Sequence, residues 1–188
     1  MRNAGTLGPL CLALLLALCA SGIGTPCVAE SLQDFCAFNF IDNRAINTAE
    51  LRGTILVLLF GSIYCKPCVE LLPVMDTLQE HYRYSDVRII LLDIDMAVDP
   101  ELQREFIRLK SIKNPYIINA HPIARTNKVS FLPTTLVVDR QGEIVKRIMG
   151  FKKIRTFEKV LKKLRPVTVV PDCIPEREHE QPPEQPVQ

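Results

Sequence analysis

Several functional marks are missing from this chain. Its formal net charge is only +2 over 188 residues, and no run of Lys and Arg is interleaved with aromatic side chains, so nothing in it points to nucleic acid as a partner. The basic residues from Lys152 to Arg165 read instead as the solvated face of a helix. There is no internal repeat, and no second pair of Cys or His stands at metal-ligand spacing from the first; the nearest candidate to Cys65 and Cys68, His81, lies more than three helical turns away. No metal and no cofactor is therefore expected. The carboxylates Asp93 and Asp95 fall at the end of a strand, where such groups commonly cap backbone or face solvent.

With 47% hydrophobic and 23% charged residues, the composition is that of one soluble globular domain. At the N-terminus, Arg2 precedes an apolar run from Leu10 to Ala20 and then small residues, the order of a secretory signal peptide. The run is short for a membrane span, though an uncleaved N-terminal anchor is the competing reading. We divide the chain into residues 1–29 as signal or anchor, 30–166 as the folded domain, and 167–188 as a tail rich in Pro, Glu and Gln that is too polar to bury a core.

Seven cysteines are present, of which Cys11, Cys19 and Cys27 fall in the leader. Cys36, Cys65, Cys68 and Cys173 remain, and in an exported protein this even number permits two disulfides. Cys36 and Cys173 would then join the start of the domain to its tail, or else both are free; spacing alone does not choose.

The centre of the sequence is Phe60-Gly61-Ser62-Ile63-Tyr64-Cys65-Lys66-Pro67-Cys68. Before it, Thr54 to Phe60 is a continuous, partly β-branched apolar run suited to a strand buried on both faces. After it, Leu71, Met75, Leu78 and Tyr82 recur at helical spacing, predicting a helix that ends near Tyr84 and Ser85. Cys65 thus stands at a helix N-terminus, where unpaired N–H groups and the helix dipole favour a thiolate. Lys66 adds a nearby positive charge.

Val87 to Ile94 predicts a second buried strand, parallel to the first across the intervening helix. Asp99-Pro100-Glu101 is a helix start, followed by Leu102, Phe106 and Leu109 on one face. Tyr116 to Ile118 reads as a short strand, Pro122 to Asn127 as a short helix, and Phe131 to Asp139 as a third long strand led by Pro133. Arg140-Gln141-Gly142 is a hairpin turn into an antiparallel strand, Glu143 to Met149. Ile154, Phe157, Val160, Leu161 and Leu164 give a closing amphipathic helix stopped by Pro166. Cys36, Phe38, Phe40 and Ile46 can supply a short edge strand or a packed extension ahead of all this. The fold class is α/β, a mixed sheet of parallel and antiparallel strands flanked by helices.

This order, with Cys65-Lys66-Pro67-Cys68 after a buried strand, Pro73 in the helix and Leu132-Pro133-Thr134 before the third long strand, resembles the thioredoxin superfamily over roughly residues 30–165. The long segment from Asp95 to Val129, and Asp139-Arg140-Gln141-Gly142, are similar to its exported TlpA-like and ResA-like branch. The resemblance implies a thioredoxin-like fold and a thiol-disulfide oxidoreductase, periplasmic or otherwise extracytoplasmic. Its substrates would be protein thiols and disulfides, including those of cytochrome c maturation, and its reductant a membrane or periplasmic electron donor. Cys65 would be the exposed attacking thiol and Cys68 the buried resolving one, with Tyr64, Lys66, Pro67, Leu132 and a cis Pro133 facing the substrate. A dithiol oxidant or isomerase, or a copper(I)-binding module on the same fold, are the alternatives.

The sequence also departs from the family. Tyr64 stands where a Trp is usual, in a chain without Trp. The position of the buried acid six residues before the first cysteine is Leu59, and that of the branch's active-site Glu six residues after it is Leu71. No general base stands at either family position, so either Cys68 resolves slowly or a base comes from an unexpected place such as Glu70 or Asp95.

Overall fold

The computed structural model describes residues 30–169; residues 1–29, Cys173 and the rest of the tail beyond residue 169 lie outside it. Within it, a small antiparallel hairpin of β1 (Cys36–Phe38) and β2 (Ala45–Asn47) stands apart from the main sheet. A 3-10 turn, Thr48–Leu51, leads into β3 (Ile55–Gly61). Then follow α1 (Lys66–His81), β4 (Val87–Asp93), α2 (Pro100–Lys110), β5 (Tyr116–Ile117), α3 (His121–Thr126), β6 (Thr134–Val138), β7 (Ile144–Met149) and α4 (Ile154–Leu164).

The five-stranded sheet runs β5-β4-β3-β6-β7. β3, β4 and β5 are parallel, while β6 is antiparallel to β3 and β7 antiparallel to β6. β3 therefore lies in the middle, and its continuous apolar sequence follows from having no solvent side. Ile55, Val57 and Leu59 pack with Leu71, Met75 and Leu78 of α1 and Phe157 and Leu161 of α4. Leu56, Leu58 and Phe60 face the other way, toward Ala120 and Ala124 at α3 and Leu32 of the N-terminal segment. Each such side chain, taken fully from water, contributes about 1.5–3 kcal/mol before its entropy cost.

Three sequence expectations are corrected. First, α1 ends at His81 rather than near Ser85, because the backbone turns at Tyr82 to Ser85, with the Ser85 N–H and hydroxyl both donating to the Tyr82 carbonyl at 3.0 and 2.7 Å. Second, the inward face of α2 is not Leu102-Phe106-Leu109. Leu102 is 44% and Leu109 65% exposed, while Gln103 is buried and Phe106 and Ile107 pack on the core. The helix is rotated because Gln103 has buried polar partners beneath it. Third, β6 starts only at Thr134; Phe131 to Pro133 form a bend closed by the Thr134 hydroxyl donating to the Phe131 carbonyl at 2.7 Å.

The domain also reaches past residue 166. Thr168 bridges to Ser85, and the Val169 N–H donates to the Tyr84 carbonyl at 2.7 Å. Arg140 holds this end together: its guanidinium pairs with Asp86 at 2.6 Å and donates to the carbonyls of Leu164 and Arg165 at 2.9 and 3.0 Å. Asp86 in turn accepts from the Val167 N–H at 2.8 Å. One side chain from the β6–β7 turn thus clamps the α1–β4 connection to the end of α4. Arg140→Ala leaves one oxygen of Asp86 and two carbonyls without their donor, and chemical denaturation is expected to show a loss of about 2–4 kcal/mol, with proteolysis advancing from the residue 165–169 end.

Candidate active site

β3 delivers the chain to the site. Its last residue, Gly61, pairs with Asp93 at the end of β4, and four residues later Cys65 stands as the N-cap of α1 in extended conformation. No side chain caps this helix; the Cys65 carbonyl accepts the N–H groups of Cys68 and Val69 at 2.9 and 3.0 Å. Pro67 in the first turn costs no hydrogen bond there, since that N–H has no intrahelical acceptor.

Cys65 and Cys68 are joined as a disulfide, with Cα atoms 5.2 Å apart. Cys65 is partly exposed and Cys68 is 3% exposed, so one sulfur faces solvent and the other faces the core. Gly61 makes this possible: a Cβ there would stand 3.3 Å from the Cys68 Cβ and 3.8 Å from its Sγ. Cys36 is exposed on β1 and has no disulfide partner among the described residues.

The loop between β3 and α1 is held by Asp95. One of its oxygens accepts from the Ser62 hydroxyl at 2.9 Å and from the Ile63 N–H at 3.1 Å, and Ser62 Oγ accepts the Tyr64 N–H at 3.1 Å. Tyr64 projects outward, 71% exposed. Lys66 is also exposed and lies 3.9 Å from Glu70, an i,i+4 pair on the outside of α1. Both carboxylates named as possible bases are therefore engaged elsewhere: Glu70 faces solvent, and Asp95 fixes backbone.

Leu132–Pro133 is a cis peptide bond, as the resemblance implied. Because Thr134 pairs with Phe60 in antiparallel register, Pro133 sits at the end of the sheet from which the Cys65 loop departs. Pro133 is buried, and its carbonyl accepts the Gly150 N–H at 2.7 Å. Leu132 is partly buried against the core. Phe131, beside it, is 69% exposed and lines a shallow depression with Met149. Met96, next to Asp95, is 70% exposed. Sequence reading did not single out Phe131 or Met96, since exposure of an apolar residue at a loop is not legible before the fold.

Asp93 is the larger surprise. Rather than a solvated strand-end carboxylate, it is 2% exposed. It accepts the Asp95 N–H at 2.8 Å, the Tyr116 hydroxyl at 2.7 Å and the Gln103 amide at 3.1 Å. Burial, chiefly, pushes its carboxyl above the ordinary 3.8, with the neighbouring Asp95 charge adding to the effect and its three hydrogen bonds opposing it. The same burial, with Asp93 beside it, pushes the Tyr116 phenol far up, so it stays a donor. No sequence signal joins residues 93, 103 and 116, which come from β4, α2 and β5.

A raised carboxyl has a definite sign for stability. Between 3.8 and the higher folded value the unfolded chain has lost the proton that the folded chain keeps, so this contribution is complete below 3.8 and is lost as pH rises through the folded value. Asp93→Asn removes that ionisation. Urea denaturation of the oxidised protein from pH 4 to 8 is expected to show a smaller fall in stability for the variant than for the wild-type chain.

Comparison with known proteins agrees with this geometry. A family model described as a thioredoxin-like domain matches residues 42–165. Thiol-disulfide oxidoreductase ResA of Bacillus thuringiensis (strain Al Hakam) is 32% identical over 130 residues, covering 67% of this chain and 72% of the relative. The ResA of Bacillus anthracis matches to the same extent, 32% over 130 residues. Among solved structures, a thiol:disulfide interchange protein of the thioredoxin family from Chlorobium tepidum TLS superposes with a TM-score of 0.64 at 18% identity, covering 72% of this chain and 96% of that one. StoA from Bacillus subtilis superposes with a TM-score of 0.60 at 17% identity, over 68% of this chain and 96% of its own.

Proposed function

The chain belongs to the thioredoxin-like family and is a thiol-disulfide oxidoreductase of the ResA type, and from that premise we propose that it is exported and reduces disulfides of selected extracytoplasmic proteins through Cys65 and Cys68. The single observation that carries the assignment of roles is the asymmetry of the pair, one sulfur at the surface on a helix N-terminus and the other in the core.

In the reduced protein, the Cys65 thiolate, favoured by the unpaired N–H groups of the first turn of α1, attacks one sulfur of a substrate disulfide. A mixed disulfide forms and the other substrate sulfur leaves as a thiolate. The Cys68 thiol loses its proton and attacks the Cys65 Sγ, forming the Cys65–Cys68 bond and releasing the second substrate thiol. The substrate gains two electrons and the pair loses two; a membrane or periplasmic dithiol donor restores it. The second step is intramolecular, which removes the entropy cost of meeting a second thiol.

On this reading substrate is received by Tyr64, Lys66, Pro67, Leu132 and Pro133, and the exposed side chains of Phe131, two residues before Pro133, and Met96, next to Asp95, are free to add apolar contacts. The short apolar run from Leu10 to Ala20 supports export by a signal peptide or tethering by an uncleaved anchor; among the described residues no helix is long and apolar enough to cross a membrane. A disulfide formed between the cysteines of an apocytochrome c is one substrate that this reading admits, on the resemblance to the exported branch.

Equilibration of the purified chain with redox buffers is expected to give a potential for the Cys65–Cys68 couple near about −270 mV or lower, as for a reductant. A value near about −120 mV would make it a dithiol oxidant instead. Cys65→Ser is expected to reduce turnover to background, whereas Cys68→Ser keeps the first step and accumulates mixed disulfides with substrate, detected by non-reducing electrophoresis.

A further inference from the structure

Cys68 is 3% exposed, so its thiol has little direct contact with bulk water into which to lose a proton. Beside it lies a cavity of about 20 Å³, bordered by Cys68, Gly61, Ser62, Asp93, Phe106 and Tyr116 among others. That is room for about one water. The strand register gives the spacing: Gly61 pairs with Asp93, and the Cys68 sulfur packs on the open side of Gly61. The one carboxylate bordering this cavity is thus on the strand residue next to the one against which the buried thiol rests.

Resting on the reading of Cys68 as the resolving thiol, we propose that Asp93 is its proton acceptor, reached through one water in this cavity, and that Tyr116 and Gln103 hold the carboxyl in both its protonation states. When the mixed disulfide stands on Cys65, the Cys68 S–H gives its proton to the water and the water gives one to Asp93. The Cys68 thiolate then bonds to the Cys65 Sγ, the bond from Cys65 to the substrate sulfur breaks, and the substrate leaves as a thiolate that takes a proton from solvent. The cysteine pair is oxidised and the substrate sulfur reduced. In the reverse direction Asp93 returns the proton to Cys68.

The surrounding hydrogen bonds suit this exchange. As a carboxylate, Asp93 accepts through one oxygen from the Asp95 N–H and through the other from Tyr116 and Gln103. The Tyr116 oxygen also lies 3.3 Å from Gln103 Oε1. Once protonated, Asp93 donates to the Tyr116 oxygen, and the Tyr116 hydroxyl turns to Gln103 Oε1, so no buried polar atom loses its partner. Asp93 is bonded by Gln103 from α2, Tyr116 from β5 and the backbone of Asp95 just beyond its own strand, it shares the lining of the cavity with Cys68 from α1, and no cation among the described residues acts on it. Its affinity for a proton is accordingly above that of an exposed carboxylate, nearer the range in which a base serves a thiol at neutral pH.

The test separates the two thiol steps in the full chain. Reduced protein is mixed with dithiobis-nitrobenzoate, and acid-quench peptide mass spectrometry follows the formation and decay of the Cys65 adduct between pH 5 and 9. Asp93→Asn is expected to form the adduct within about twofold of the wild-type rate and to resolve it at least about tenfold more slowly at pH 6, general base catalysis being worth about 10²–10⁴. The difference shrinks as pH approaches the thiol's own ionisation. Tyr116→Phe, which keeps the ring and removes one donor to the carboxylate, is expected to move the midpoint of the resolution profile to higher pH. Equal resolution rates at pH 6 in Asp93→Asn, or an unmoved profile in Tyr116→Phe, would overturn the role of Asp93. A wild-type chain that forms no Cys65 adduct would instead overturn the dithiol reading, and the proposal with it.

Discussion

Strand β3 has no solvent side, and the rest of the molecule follows from that constraint. Seven consecutive residues, Ile55 to Gly61, have to be covered on both faces and paired on both edges. Parallel β4 and antiparallel β6 supply the edges, α1 and α4 cover one face, and α3 with the N-terminal segment covers the other. A strand held this way cannot shift register without moving every side chain to the opposite face. Its C-terminal end is consequently a fixed point, and the cysteine pair is mounted four residues beyond it.

The difference between the two sulfurs is a product of that mounting. Cys65 and Cys68 are close in sequence and bonded to each other, yet the turn from strand to helix leaves the first at the helix end and rotates the second under it. Gly61 leaves the space for Cys68, and Asp95 pins the intervening loop through Ser62 and Ile63. The helix N-terminus acts on the exposed sulfur by its unpaired donors. The buried sulfur has little solvent beside it, and the one carboxylate bordering its cavity is that of Asp93.

That cavity borders a feature of the packing that is otherwise costly. A carboxylate, a phenol and an amide are buried together between β4, β5 and α2, where apolar side chains of similar volume would be easier to accommodate. The cluster turns α2 so that Gln103 faces inward and Leu102 and Leu109 face water, against the amphipathic pattern. A helix gives up apolar contacts in this way only where the polar ones beneath it are satisfied, and every oxygen of Asp93 is.

The sequence alone determined the elements whose signal is local. The apolar run of β3, the helical period after Cys68, Asp99-Pro100-Glu101 at the start of α2 and the turn at Gln141-Gly142 each follow from burial period, capping or turn chemistry within a few residues. Cys65-Lys66-Pro67-Cys68 was legible for the same reason, since its chemistry is set by its place between a strand and a helix. Tertiary structure decided whatever depends on residues distant in the chain. It set the attachment of Val167 to Val169 through Arg140 and Asp86, the separate hairpin at Cys36, and the exposure of Phe131 and Met96. Above all it decided Asp93, which in sequence is an acid at a strand end and in the fold is a buried group between Tyr116 and Gln103, because burial and hydrogen-bond partners are properties of packing and not of sequence position.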